Sequence, residues 1–203
     1  MGSIKKELLS GVFYTAIAKY SGILISLIIT GVLARLISPD KFGIVAVVTV
    51  ITFFFSIFSD LGIGAAIIQN KELQQKDLNQ LFSFTVWSGC ILTLLFFLCS
   101  WPISFFYKEP SMKTITQLLA INLFFASANI VPNALLYKAK AFKFLAWRSL
   151  GVQVSGGIIA ILAALGGAGL YALIINPILS SILLFIISYQ KYPQTLEMTW
   201  GIP

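Results

Sequence analysis

The sequence predicts an all-α integral membrane protein with six transmembrane helices. Hydrophobic residues make up 58% of the 203 residues and charged residues only 10%, whereas soluble domains carry about 25% charged residues. A water-soluble core could not bury so much apolar surface in a chain of this length, so lipid must cover part of it. The apolar residues also lie in long runs, close to the ~20 residues that a bilayer-spanning helix requires.

The first two segments form a predicted membrane hairpin. Segment 11–37 contains a single lysine and is longer than the apolar region of a cleavable signal peptide, so we expect a retained helix. The turn at 38–41 reads SPDK, which favours a new helix with serine as N-cap, proline at the first helical position and aspartate near the positive end. Segment 42–68 follows, and its residues 43–59 carry no formal charge.

Four further apolar segments follow, separated by short connections that are polar, charged or rich in glycine. After the sixth segment the chain becomes polar. We therefore expect residues 1–190 to form one six-helix lobe and residues 191–203 to form a cytoplasmic tail. The four segments are predicted at 81–106, 114–136, 146–165 and 170–187.

Basic residues in the loops predict that both termini are cytoplasmic, because cytoplasmic loops are enriched in Lys and Arg. With the N-terminus inside, nine basic residues lie on the cytoplasmic side and four on the other. The net charge of +7 needs no nucleic-acid partner, since these residues face anionic lipid headgroups. The cytoplasmic group comprises Lys5, Lys6, Lys71, Lys76, Lys138, Lys140, Lys143, Arg148 and Lys191, and the external group Arg35, Lys41, Lys108 and Lys113.

Polar residues form stripes on four of the predicted helices. The stripe on the first helix falls within an arc of ~80°. Lipid penalises exposed polar groups, so the stripes can converge on a shared interior; the alternative is that Ser, Thr and Gly mark helix-packing faces. The stripes are Thr15, Lys19, Gly22, Ser26 and Thr30; Thr49, Thr52, Ser56 and Asp60; Asn122, Asn129 and Asn133; and Asn176 with Ser180 around Pro177.

Lys19 and Asp60 are the strongest functional candidates, because an ionisable group at membrane depth is a functional hypothesis by default. For Lys19 the alternative is that the side chain extends to the cytoplasmic headgroups. For Asp60 it is a helix-end contact, since Gly62 and Gly64 follow closely. Arg148 is a weaker candidate, because it lies near a helix end where an interfacial anchor is the ordinary explanation.

Composition argues against catalysis and metal binding. The chain has no histidine, which removes the commonest general base and a preferred zinc ligand. Cys90 and Cys99 lie on opposite sides of one predicted helix, ~13 Å apart along its axis, and cannot bridge each other. The glycines at 166–169 lie in a helix connection, which is the wrong context for a nucleotide loop. We expect no enzymatic activity, no cofactor and no metal.

Three stretches resemble the N-terminal part of bacterial polysaccharide-exporting flippases, which carry lipid-linked oligosaccharide for O-antigen, capsule or exopolysaccharide. They are VLARLISPDKFG, FSDLGIGAAIIQNKELQQKDLNQLF and VPNALLYKAKAFKFLAWRSLGVQVSGGIIAILAALGGAGLYALI. The resemblance implies one lobe of a two-lobe transporter in the inner membrane, with a central cavity that opens alternately to either side. The second lobe would come from the same full-length chain, beginning in the tail at 191–203, or from a homodimer.

The resemblance also implies a substrate held by basic residues of the cavity, and the polar stripes suggest which residues of this chain would act on it. The substrate would be an undecaprenyl-diphosphate-linked glycan, with Lys19 holding the diphosphate. Asn122, Asn129 and Arg148 would be further substrate-binding residues. Asp60 would either pair with a basic side chain or couple transport to a proton or sodium ion. The alternatives are a small-molecule or cation antiporter of the same superfamily, or a truncated membrane subunit that does not transport.

Overall fold

The computed structural model describes residues 2–60, 62–70 and 72–196, and this part of the chain is helical without strands. Lys71 and residues 197–203 of the expected tail lie outside it. Six helical stretches are long and apolar enough to cross a membrane, as predicted. The helices are α1 (Gly2–Leu36), α2 (Pro39–Asp60), α3 (Ile63–Gln69), α4 (Gln75–Tyr107), α5 (Pro110–Ala128), α6 (Ile130–Lys138), α7 (Phe142–Leu165) and α8 (Ala172–Lys191), with a 3-10 turn at Gly169–Tyr171 before α8.

Two of the predicted segments contain a break in the helix. Segment 42–68 ends its first helix at Asp60, because Gly62 takes the left-handed backbone conformation (φ 80°) before α3 begins. Segment 114–136 breaks at Asn129. There Pro132 has no N–H for the carbonyl four residues earlier, and its ring crowds that carbonyl. The breaks divide these spans into α2 with α3 and α5 with α6. The two spans lie side by side, so that α2 packs on α5 and α3 packs on α6.

Three apolar clusters hold the helices together. The first lies among α2, α4, α5 and α8, the second among α3, α4 and α6, and the third between α1, α7 and the start of α8. Burial of these side chains supplies packing contacts along the full length of the bundle. Their buried members include Val48, Phe96, Ile115 and Ile174 in the first cluster, Ile67, Phe82 and Val131 in the second, and Ile29, Leu33 and Ala160 in the third.

Helix α1 packs mainly on α7, and it shares little contact with α2 although a short turn joins the two helices. Small residues allow the close approach to α7. Gly157 lies directly against the side chain of Ile29, and a Cβ on Gly11 would lie 2.6 Å from Phe142. The side-chain amide of Gln153 also donates to the carbonyl of Gly22 at 2.8 Å. Helix α1 is therefore attached to the bundle along one side only.

Large apolar side chains cover much of the outer surface of the bundle. Phe105, at the end of α4, is 87% exposed, and Phe53 and Leu24 are also strongly exposed. In water such a surface would be an aggregation liability, whereas in a bilayer it is the surface that lipid contacts. Both cysteines are free, as their spacing predicted.

The chain after α8 folds back onto the start of α4. Gln194 is buried, and its side-chain oxygen accepts a hydrogen bond from Gln75 at 3.0 Å. The backbone N–H of Thr195 donates to Asn79 at 3.2 Å, and the Tyr189 hydroxyl donates to the Gln194 carbonyl at 2.8 Å. The described part of the expected tail is thus fastened to the bundle.

Candidate functional site

An open groove, here called the α1–α2 groove, is the first candidate site. Helix α1 packs on α7, α7 on α8, α8 on α5, and α5 on α2. Since α1 and α2 make little contact with each other, this order leaves an opening between them. The two helices flank this opening.

The α1 wall carries the first polar stripe. Lys19, Ser26 and Thr30 are all exposed. At about 100° per residue they lie beside the α7-contacting side of α1 and apart from its most exposed apolar side chains, such as Leu24 and Leu27. The structure therefore separates the polar flank of α1 from its lipid-facing surface.

The second stripe divides into packing and exposed positions. Thr52 is buried and donates to the Val48 carbonyl at 2.8 Å. Ser56 likewise bonds within its own helix, to Phe53 at 2.7 Å. Asp60, at the end of α2, is exposed. Only the last of these three supplies a polar group that is available to a ligand.

A hydrogen bond that the sequence analysis missed joins α2 to α5. The hydroxyls of Ser59 and Ser127 bond to each other immediately before the two helix breaks, and both residues are buried. Ser127 also donates to the Leu123 carbonyl at 2.8 Å. Serine is too common at helix-packing faces for its sequence position to identify this contact.

A cavity of about 320 Å³, here called the Asp60 cavity, lies where the two broken spans meet. Asp60 Oδ1 accepts a hydrogen bond from the N–H of Gly64 at 3.3 Å, which is the helix-end contact considered as its alternative role. Asn129 lines the same cavity, and its Oδ1 is buried without a hydrogen-bond partner. The lining residues are Asp60, Gly64, Ala65, Ile68, Ala126, Asn129, Ile130, Asn133, Ala134 and Tyr137.

Arg148 is linked to the wall of this cavity. It is only 9% exposed, and its two terminal nitrogens donate to Ser188 at 2.5 Å and to Asn133 at 2.9 Å. Its Nε is buried without a partner. Both partners are neutral, so the guanidinium is held by hydrogen bonds alone. Its burial distinguishes Arg148 from an anchor at the membrane surface.

The structure brings some of the predicted site residues together and leaves others apart. Asp60 and Asn129 share the Asp60 cavity, and Arg148 contacts that cavity through Asn133. Lys19 lies on the α1 wall and Asn122 is half-buried on α5; neither lines the cavity. The binding and ion-coupling roles of these residues remain predictions.

The polar residues of the sixth span have a packing role. Ser180 donates to Asn176 at 3.2 Å, and Asn176 lies directly against Gly156 of α7. The two residues flank Pro177 inside α8, Asn176 immediately before it and Ser180 three residues after it. The close approach of α7 and α8 therefore explains this stripe without a ligand.

Comparison with known proteins identifies the family. The family model described as polysaccharide biosynthesis protein matches residues 32–203, which is most of the chain. This chain belongs to that family. The match confirms the resemblance to polysaccharide-exporting proteins found in the sequence, and the six apolar helices make this a multi-pass membrane protein.

Relatives in this family are named for polysaccharide biosynthesis and transport. The chain is 27% identical over 158 residues to the lipopolysaccharide biosynthesis protein WzxC of Escherichia coli, covering 78% of this chain and 31% of the relative. It is 28% identical to the teichuronic acid biosynthesis protein TuaB of Bacillus subtilis, over 60% of this chain and 25% of the relative. It is 22% identical to the succinoglycan biosynthesis transport protein ExoT of Rhizobium meliloti, over 74% and 31%.

The chain spans about a quarter to a third of the length of the curated relatives it matches. No solved structure matches it.

Proposed function

We propose that this chain is the N-terminal lobe of a transporter that flips lipid-linked oligosaccharide across the bacterial plasma membrane by alternating access. The observation that carries the proposal is the α1–α2 groove, whose α1 wall is polar in a bundle with an otherwise strongly apolar surface. Exposed polar groups are costly against lipid and favourable against a polar substrate. The name of the succinoglycan transport relative supports the same role.

A second six-helix lobe closes the groove in this proposal. The groove is open on one side, and the chain covers less than a third of the length of its relatives. The missing wall would be supplied by the remainder of a full-length chain or by a second copy. Both termini are cytoplasmic in the proposed orientation, as the basic residues of the loops predict.

Lys19 is the proposed ligand of the substrate diphosphate. It is exposed on the polar flank of α1, beside the side that packs on α7. A cation in a cavity of low dielectric attracts a diphosphate far more strongly than it would in water. Asn122, Asn129 and Arg148 are proposed as further binding residues, of which Arg148 is engaged by two neutral partners.

Asp60 is the proposed coupling residue, because it is an exposed carboxylate on a cavity wall. The same observation favours the second candidate function, a cation antiporter, since such a transporter needs an acidic group in its cavity. The two functions differ in the substrate that Lys19 must hold. Only the flippase requires a cation at that position.

Export of surface polysaccharide by a strain that lacks its own flippase tests the proposal. The complete transporter containing this lobe should restore export, and Lys19→Arg should retain much of it. Lys19→Gln should abolish export while membrane abundance stays unchanged. Lys143→Gln, at an exposed lysine in the first turn of α7, is the matched control and should export normally. Normal export by Lys19→Gln would remove Lys19 as the diphosphate ligand.

A further inference from the structure

The geometry points to a sugar-binding site in the Asp60 cavity: we propose that this cavity holds one pyranose ring of the transported glycan. This inference rests on the proposed function. It assigns recognition of the glycan to residues other than the proposed ligand of the diphosphate. Four polar side chains from two broken helices meet around the cavity, namely Asp60, Asn129, Asn133 and Tyr137.

These side chains supply both hydrogen-bond acceptors and donors. Asp60 and Asn129 offer oxygens, and Asn129 Oδ1 has no partner in the described structure. The orientation of Asn133 is fixed by Arg148, because a guanidinium can only donate and it takes the amide oxygen at 2.9 Å. The NH₂ group of Asn133 is therefore left to donate to another group. A pyranose presents hydroxyls that both donate and accept, which matches this mixed set.

Tyr137 adds an aromatic ring to the cavity wall. It is 42% exposed, so its ring and hydroxyl are accessible. Aromatic side chains offer an apolar face together with a polar tip, and a pyranose likewise has an apolar C–H face surrounded by hydroxyls. The small apolar residues Ala65, Ala126 and Ala134 leave room for a ring beside the polar groups.

The size of the cavity favours a single ring. Small-molecule pockets usually measure about 300–1,000 Å³, and this one, at about 320 Å³, lies at the lower limit. Because the cavity opens to the surface, one ring of a longer glycan can occupy it while the rest lies outside, and it is larger than a dehydrated metal ion needs.

The strongest indication that the Asp60 cavity holds a ligand is the oxygen of Asn129, which has no hydrogen-bond partner in the described structure. A buried acceptor without a donor is costly, and such groups are rare in folded proteins. A hydroxyl of a bound sugar would satisfy it once the side chain turns this oxygen, which is itself buried, towards the cavity. An ordered water would satisfy it too, so the experiment must detect the sugar itself.

Saturation-transfer NMR on the purified 203-residue chain in lipid nanodiscs tests the inference. The probes are D-glucose, D-galactose and N-acetyl-D-glucosamine, each added alone. We expect transfer to at least one sugar, with affinity reduced about tenfold or more in Asn129→Ala and in Tyr137→Ala. Tyr171→Ala and Gln190→Ala are matched controls, because both residues are exposed and lie outside the cavity; they should bind like the wild type.

Three outcomes would overturn the inference. The first is that none of the three sugars receives saturation. The second is that both cavity variants, with thermal transitions like that of the wild type, bind sugar normally. The third is that sodium relaxation, rather than sugar binding, depends on Asn129, which would make the cavity a cation site. Binding requires no transport, so sugar binding that depends on the cavity would stand even if export assays contradicted the proposed function.

Discussion

Arg148 on α7 donates a hydrogen bond of 2.5 Å to Ser188 on α8, and the same guanidinium reaches Asn133 on α6 at 2.9 Å. One buried side chain thus joins three helices on the face of the bundle where α1 begins. Burying a charge carries a high cost of desolvation, which the two hydrogen bonds of the terminal nitrogens offset in part. The stability of the contact among α6, α7 and α8 should therefore depend on the two neutral partners of Arg148, Ser188 and Asn133.

Replacing Ser188 with Ala should lower the free energy of unfolding by about 1.5–3 kcal/mol, the usual contribution of a hydrogen bond to a charged group. Hydrogen bonds between neutral groups in membrane proteins contribute only about 0.6 kcal/mol on average, so the charge decides the magnitude. Ser155→Ala is the control, since Ser155 donates only to the Val152 carbonyl of its own helix. Equal losses for the two variants in a denaturant titration would show that the Arg148 contact contributes little.

Replacing Gly157 with Ala should weaken the attachment of α1. A Cβ at this position would overlap the Ile29 side chain, and overpacking of this kind costs about 1–3 kcal/mol. Gly151→Ala, on the same helix, has no atom within 4 Å of its new methyl group and should gain up to about 1 kcal/mol from helix propensity. Thermal unfolding of both variants in one detergent compares them. If Gly157→Ala is as stable as Gly151→Ala, the interface between α1 and α7 tolerates an added methyl group and the prediction is wrong.

The orientation of the bundle can be tested by labelling in a background without Cys90 and Cys99. We expect a membrane-impermeant maleimide, added to intact cells, to label Gly167→Cys and not Lys140→Cys. Both positions are exposed and lie in connections at opposite ends of α7. In the predicted topology the two positions lie on opposite sides of the membrane, so only the external one should react. Labelling at Lys140→Cys alone would show that the bundle has the opposite orientation to the predicted one.

Asp60 variants separate ion coupling from a role at the end of α2. Asp60→Asn keeps an oxygen that can accept from the Gly64 N–H, whereas Asp60→Ala removes it. If the carboxylate couples transport to an ion, Asp60→Asn should lose the ion dependence of transport and keep its thermal stability. Transport assays in the complete transporter, at two ion gradients, measure this. Unchanged ion dependence in Asp60→Asn would leave only the structural contact.

The positions of the spans could be predicted because hydropathy reports directly on contact with lipid. The break at Asn129 could be anticipated from Pro132, which lacks a backbone donor. The break after Asp60 depends on the left-handed conformation of Gly62, which a glycine permits but does not require. The sequence therefore predicts the number of crossings better than it predicts where two of them bend.

The composition of the Asp60 cavity could not be predicted from periodicity. Asp60 and Asn129 lie on separate spans, and only the packing of the two broken helices brings them to one cavity. Arg148 lies near the start of α7, a position typical of interfacial anchors, yet α6 and α8 bury it. Ser188 gave no indication of its role, because a single serine in an apolar run has no distinguishing pattern.

The one-sided attachment of α1 has a consequence for biosynthesis. Helix α1 is made before α7, which begins only at Phe142, so residues 37–141 must be synthesised before its partner exists. At about 5–20 residues per second this delay lasts ~5–20 s. During that time α1 has no helix to cover Gly22, and Lys19 can avoid hydrocarbon only by extending towards the headgroups. Lys19 would then contact lipid headgroups while the chain is being synthesised, and it would bind substrate only after α1 has packed on α7.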